Sequence, residues 1–141
     1  MSELPDIVNR PAILIVENNQ ENSRVLTGLL NKNYNNFYYL AIVDNKKSAI
    51  DFFSKNSKAI HLIIASTTLP GLDCFTAINE IKKVEGWQDE KRPAHVPIII
   101  VCDDFKNHLE KLKDVSYDAG FEYPLLETKF LKEVERCLQR K

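Results

Sequence analysis

A three-layer α/β sandwich around a parallel sheet is the fold the sequence predicts. Three observations lead there. Five short apolar runs recur along 141 residues. Amphipathic helical stretches separate them. No internal repeat or low-complexity tract interrupts the alternation. Strict strand–helix alternation calls for parallel strands joined by right-handed crossovers, with helices covering both faces of the sheet.

The first run, Ala12–Val16, is short, branched and continuous, the pattern of a strand buried on both faces. A helix follows over 21–32, with Val25, Leu26, Leu29 and Leu30 on one face. The second strand is predicted over 37–43. Its helix spans 47–54, with Ala49, Ile50 and Phe53 facing inward. The third strand is 60–65, closed by Ser66. The next helix, 75–84, carries Phe75, Ile78, Ile81 and Val84. The fourth strand, Ile98–Val101, follows Pro97. The fourth helix is predicted over 106–119, with Leu109, Leu112, Val115 and Ala119 as its stripe and Gly120 as its end. A weak fifth strand spans 123–126. The fifth helix, 128–138, presents Phe130, Leu131, Val134 and Leu138, with Thr128 as its N-cap. These stripes are core contacts rather than cofactor contacts. The one long irregular stretch, 85–97, is charged and carries Trp87, which caps a helix or marks a binding surface if it is more than part of a solvated connection.

Composition narrows the function. At 44% hydrophobic and 28% charged residues, the chain suits one domain, 1–141, with a flexible segment over 1–11. A formal net charge of −1 gives no electrostatic case for nucleic acid or an anionic membrane. No apolar run approaches the roughly 20 residues needed to cross a bilayer, and 1–11 lacks the order of a signal peptide. The three cysteines, Cys74, Cys102 and Cys137, form no metal-ligand pair, and their odd number argues against a closed disulfide framework. A cytoplasmic setting with reduced thiols is the expectation. His61, His95 and His108 have no ligand spacing. The four glycines form no phosphate-cradling motif.

Ligands of open parallel sheets gather at the carboxyl ends of the strands. There the chain offers Glu17-Asn18-Asn19, Ser66-Thr67-Thr68, Cys102-Asp103-Asp104 and Glu127-Thr128-Lys129. Together with Ile13–Asn19, Leu69-Pro70-Gly71-Leu72-Asp73, Pro97–Val101 and Asp118-Ala119-Gly120-Phe121, this order of motifs resembles the receiver domains of response regulators along nearly the whole chain. The resemblance implies a flavodoxin-like, five-stranded sheet in the order 2-1-3-4-5. Helices 1 and 5 would lie on one side and helices 2, 3 and 4 on the other.

It also implies a chemistry. A receiver takes a phosphoryl group from a kinase phosphohistidine onto an aspartate. Two acids after the first strand help hold Mg2+. A Thr or Ser after the fourth strand and a Lys after the fifth bind the phosphoryl oxygens. Carried over by position, the phosphoacceptor falls on Ser66 and the acidic pair on Glu17 and Asn18. The switch hydroxyl falls on Cys102, and the lysine on Glu127; Lys129, two residues on, precedes Phe130 rather than Pro.

All four departures oppose phosphoryl transfer. Serine cannot form an acyl phosphate, and no base is implied beside it. Glu17 alone is a thin acid set for Mg2+; Asp103 and Asp104 would have to compensate. Cys102 offers no strong hydroxyl donor, and Glu127 repels phosphate. The expectation is a degenerate pseudo-receiver: not an enzyme, with no catalytic residue, metal or cofactor.

Its expected partners are proteins: a histidine kinase, another receiver or an output domain. A homodimer through the fourth helix, fifth strand and fifth helix is a further option, with Lys106, Lys111, Lys113, Lys129, Lys132 and Arg136 on that face. Two alternatives stand beside this. One is a divergent acceptor using Asp73, Asp103 or a Ser66 ester. The other is a small-ligand binder on a flavodoxin-like scaffold. Asp73 is otherwise a cap for the third helix. Cys74, at that helix start, sits where a thiolate is favoured, and Cys102 is read as a small buried residue.

Overall fold

The computed structural model describes residues 11–34, 37–69, 73–85, 96–103 and 117–139. Five strands alternate with helices in the order β1 (Ala12–Val16), α1 (Gln20–Tyr34), β2 (Tyr39–Val43), α2 (Lys46–Asn56), β3 (Ile60–Ser66), α3 (Asp73–Glu85), β4 (Ile98–Cys102), β5 (Ala119–Glu122) and α4 (Glu127–Gln139). The strands form one parallel sheet in the order β2-β1-β3-β4-β5. This is the flavodoxin-like topology.

The interior strands are apolar because both of their faces are covered. All five residues of β1 and all five of β4 are buried. Alternation along each strand then divides the core. Leu14, Val16, Ile63 and Ile100 face Phe53 of α2 and Ile78 and Ile81 of α3. Ile13, Ile15, Ile64 and Val101 face Leu26 and Leu30 of α1 and Phe130 and Val134 of α4. Helices α1 and α4 thus cover one face, and α2 and α3 the other.

Local chemistry sets the helix starts. Asn19 accepts the Asn22 N–H at 2.9 Å, and Asn45 accepts the Ser48 N–H at 2.8 Å, each satisfying an amide that the helix leaves open.

Several boundaries differ from the sequence expectation. Phe37 lies outside β2 and is 69% exposed. The Phe37 and Tyr38 N–H groups both bond back to the Tyr34 carbonyl, so sheet pairing begins at Tyr39 opposite Ala12. Val25 is 42% exposed and does not belong to the α1 stripe. Thr128 is not a cap but sits within the first turn of α4, where the Phe130 N–H bonds the Leu126 carbonyl at 2.9 Å.

The largest shift concerns the fifth strand, expected over 123–126 and found at Ala119–Glu122. Asp118 fixes it. Its N–H donates to the Ile98 carbonyl, and its carboxylate accepts the Ile98 N–H, both at 2.8 Å, which aligns the following residues with β4. The expected helix over 106–119 lies outside the described residues up to 116, and Ala119 belongs to β5. Residues 86–95 of the Trp87 stretch and residues 1–10 also lie outside them.

Candidate functional site

The carboxyl ends of β1, β3, β4 and β5 bring Glu17, Ser66, Cys102 and Tyr123 to one edge of the sheet. Glu17 follows β1 directly and is 2% exposed. Its N–H continues the ladder to the Val43 carbonyl at 3.0 Å. A carboxylate this deep needs donors, and three are in place. The Asn19 N–H reaches Oε2 at 3.0 Å. The Thr68 hydroxyl also donates to Oε2. The Tyr123 hydroxyl donates to Oε1 at 2.7 Å.

Ser66 closes β3 and is wholly buried. Its Oγ lies 2.9 Å from the Thr68 Oγ1 and accepts the Thr68 N–H at 3.1 Å, a local turn typical of Ser and Thr. Thr68 has one hydroxyl proton, which goes to Glu17. Ser66 is therefore the donor in the hydroxyl pair, and the order runs Ser66 to Thr68 to Glu17. The sequence implied no base near Ser66. The fold supplies one, linked through Thr68, but leaves the Ser66 oxygen without solvent access.

Cys102 ends β4, also fully buried. Its carbonyl accepts the Tyr123 N–H at 2.9 Å, which fixes Tyr123 beside it. Burial raises the Tyr123 phenol well above its ordinary value, and the hydrogen bond to Glu17 and the nearby charge of that carboxylate raise it further.

Asn18 is exposed. Its N–H lies 3.4 Å from the Thr68 Oγ1. Asp103 is exposed as well, 3.4 Å from the Asn22 amide nitrogen. Asp73 opens α3, with its carboxylate 4.0 Å from the Lys46 ammonium. Cys74 is pushed up to about 12, chiefly by burial, with Cys102 and Glu17 adding to it. Burial thus outweighs the helix start there, and the thiolate expected from position alone does not form.

Glu127 does not join this cluster. It lies in the first turn of α4 and is exposed. The residue directly after β5 is Tyr123, four positions earlier in the chain. Thr68 and Tyr123 were both missed as site residues. A signal existed for the second: Tyr123 precedes Pro124, and a residue before proline favours extended or turn geometry at a strand end.

The donor set fits Mg2+ poorly. Three of the four lone-pair positions on Glu17 already accept hydrogen bonds. Among the described residues, no group of three His, Cys, Asp or Glu side chains could hold an ion. On the β2 side of Glu17 lies a half-open cleft of about 210 Å3, lined by residues 18–20 and Ser23 of the α1 start and by Ile42, Val43 and Asp44.

The raised Tyr123 phenol has a consequence for pH. A phenol favoured in its neutral form stabilises the fold fully below its ordinary value of 10.0. That contribution is lost as pH rises through the elevated folded value. Tyr123→Phe is expected to flatten the alkaline limb of stability against pH. It should also leave the phenolate absorbance of the folded protein near pH 10 unchanged, because Tyr123 does not ionise there. A clear drop in that absorbance on substitution would contradict the burial.

No family model matches the sequence, and no curated protein matches it. Solved structures do match. A response regulator receiver domain protein from Clostridium thermocellum superposes with a TM-score of 0.72 at 17% identity, over 92% of this chain and 95% of that one. The receiver domain of a signal transduction histidine kinase from Syntrophus aciditrophicus gives 0.69 at 23% identity, over 92% and 90%. The receiver domain of an HD domain-containing protein from Pseudomonas fluorescens Pf-5 gives 0.72 at 18%, over 99% and 94%. The likeness is one of fold: the chain has the fold of response-regulator receiver domains.

Proposed function

We propose that this chain is a receiver-like signalling domain that has lost phosphoryl relay and acts through phosphorylation-independent contacts with other proteins. The observation that carries this is Ser66, a wholly buried hydroxyl at the end of β3, where a receiver presents its acceptor aspartate. Serine cannot form an acyl phosphate, and a phosphodonor cannot reach an oxygen with no accessible surface.

The surrounding positions support the same conclusion. Glu17 and Asn18 stand for the acidic pair with one carboxylate between them, and its oxygens already accept three hydrogen bonds. Cys102 stands for the switch hydroxyl. Tyr123, rather than Glu127, stands for the lysine, because it directly follows β5 and reaches Glu17. A phenol held neutral at this point gives a transferred phosphoryl group no counter-charge.

Partner classes consistent with this fold are a histidine kinase, another receiver or an output domain, with self-pairing as a further option. The described part of the corresponding face is β5 and α4, where Lys129, Lys132 and Arg136 are exposed. No helix of the described residues is long and apolar enough to cross a membrane.

Intact mass spectrometry after incubation with acetyl phosphate and Mg2+, and separately with a phosphorylated histidine kinase, tests the proposal. The expected result is no phosphoryl adduct of either the acyl phosphate or the ester kind. An Mg2+-dependent adduct abolished by a single substitution at Asp73, Asp103 or Ser66 would overturn it in favour of a divergent acceptor.

A further inference from the structure

The Glu17–Tyr123 hydrogen bond joins the end of β1 to the end of β5. In the sheet order β2-β1-β3-β4-β5 these strands are not neighbours, because β3 and β4 lie between them. The bond therefore crosses the ends of both. Ser66 closes β3 and Cys102 closes β4, and both are 0% exposed although each ends its strand at the edge of the sheet. The Tyr123 backbone is held to the same place by its N–H on the Cys102 carbonyl.

We propose that Tyr123 is a fixed strap across the strand ends, tying β5 to β1 over Ser66 and Cys102 and closing that edge of the sheet. Two hydroxyls, from Tyr123 and Thr68, supply the positive ends that satisfy Glu17. The three strands β1, β3 and β5 are thereby held in one arrangement around a single carboxylate. The strap stands on this geometry alone and holds whether or not the domain signals by protein contact.

The cysteines give a direct test, since none is in a disulfide. Cys102 ends β4, where its carbonyl accepts the Tyr123 N–H and its side chain lies in the cluster of α2 and α3, whereas Cys137 lies in the cluster of α1 and α4, against which Tyr123 also packs. Alkylation of the native protein by iodoacetamide, followed by peptide mass spectrometry, reads both sites in one sample. Tyr123→Ala is expected to raise the Cys102 rate about tenfold or more relative to Cys137, as local opening exposes it. Tyr123→Phe keeps the ring but loses the bond, and should fall between that variant and the wild type. Cys102 rates equal to wild type in both variants would overturn the proposal. So would parallel increases at Cys102 and Cys137, which would make Tyr123 a general contributor to stability rather than a strap.

Discussion

Glu17→Ala is expected to cost about 3 kcal/mol of folding stability, because it removes the one acceptor shared by three donors. The Thr68 and Tyr123 hydroxyls would be left facing a cavity, and the Asn19 N–H would lose its partner at the start of α1. Hydrogen bonds to a charged group contribute about 1.5–3 kcal/mol each, and the recovered desolvation cost of the carboxylate offsets part of their sum. Glu17→Gln should lose less. It retains one acceptor oxygen, but its new amide points a donor at a hydroxyl that already donates. Urea unfolding with an unchanged slope against denaturant measures both. A loss below about 1 kcal/mol for the alanine variant would mean that the carboxylate is solvated rather than held by the protein.

The burial that makes Glu17 costly to remove also explains why its position was legible from sequence. β1 and β4 are continuous branched runs, so their ends, and with them Glu17 and Cys102, follow from the apolar pattern alone. Ser66 follows likewise from the end of β3. β5 gave no such signal. Its four residues, Ala-Gly-Phe-Glu, include one large apolar side chain, and the strand exists because Asp118 and the β4 ladder align it. Gly120 read as a helix terminator when it is a strand residue paired with Ile100. That displacement hid Tyr123, which directly follows the strand.

Thr68 was hidden for a different reason. Its role rests on a contact with a residue 51 positions away, and no local periodicity carries such information. Its hydroxyl is also what connects Ser66 to a carboxylate. The sequence shows which residues end the strands, whereas the fold shows the donors gathered there around one acid: two hydroxyls and a backbone amide.

If the proposed loss of relay comes from the residues at these strand ends, substituting receiver chemistry for them should confer acceptance. Ser66→Asp alone is expected to fail. It would place a second carboxylate in a fully buried position near Glu17, where two like charges cannot both ionise without an ion between them. The single variant should therefore be destabilised in EDTA and regain stability as Mg2+ is added, visible as a metal-dependent melting temperature. Combining it with Asn18→Asp, Cys102→Thr and Tyr123→Lys changes the balance. Three carboxylates would then surround the ion position, a hydroxyl would face the phosphoryl oxygens, and a cation would replace the neutral phenol. Removing the phenol also releases one lone pair of Glu17 and opens the strand ends. With acetyl phosphate and Mg2+, this fourfold variant is expected to gain an acid-labile phosphoryl adduct that EDTA prevents, while the wild type gains none. A fourfold variant with wild-type circular dichroism that binds Mg2+ yet accepts no phosphoryl group would show that these four positions do not account for the loss of relay.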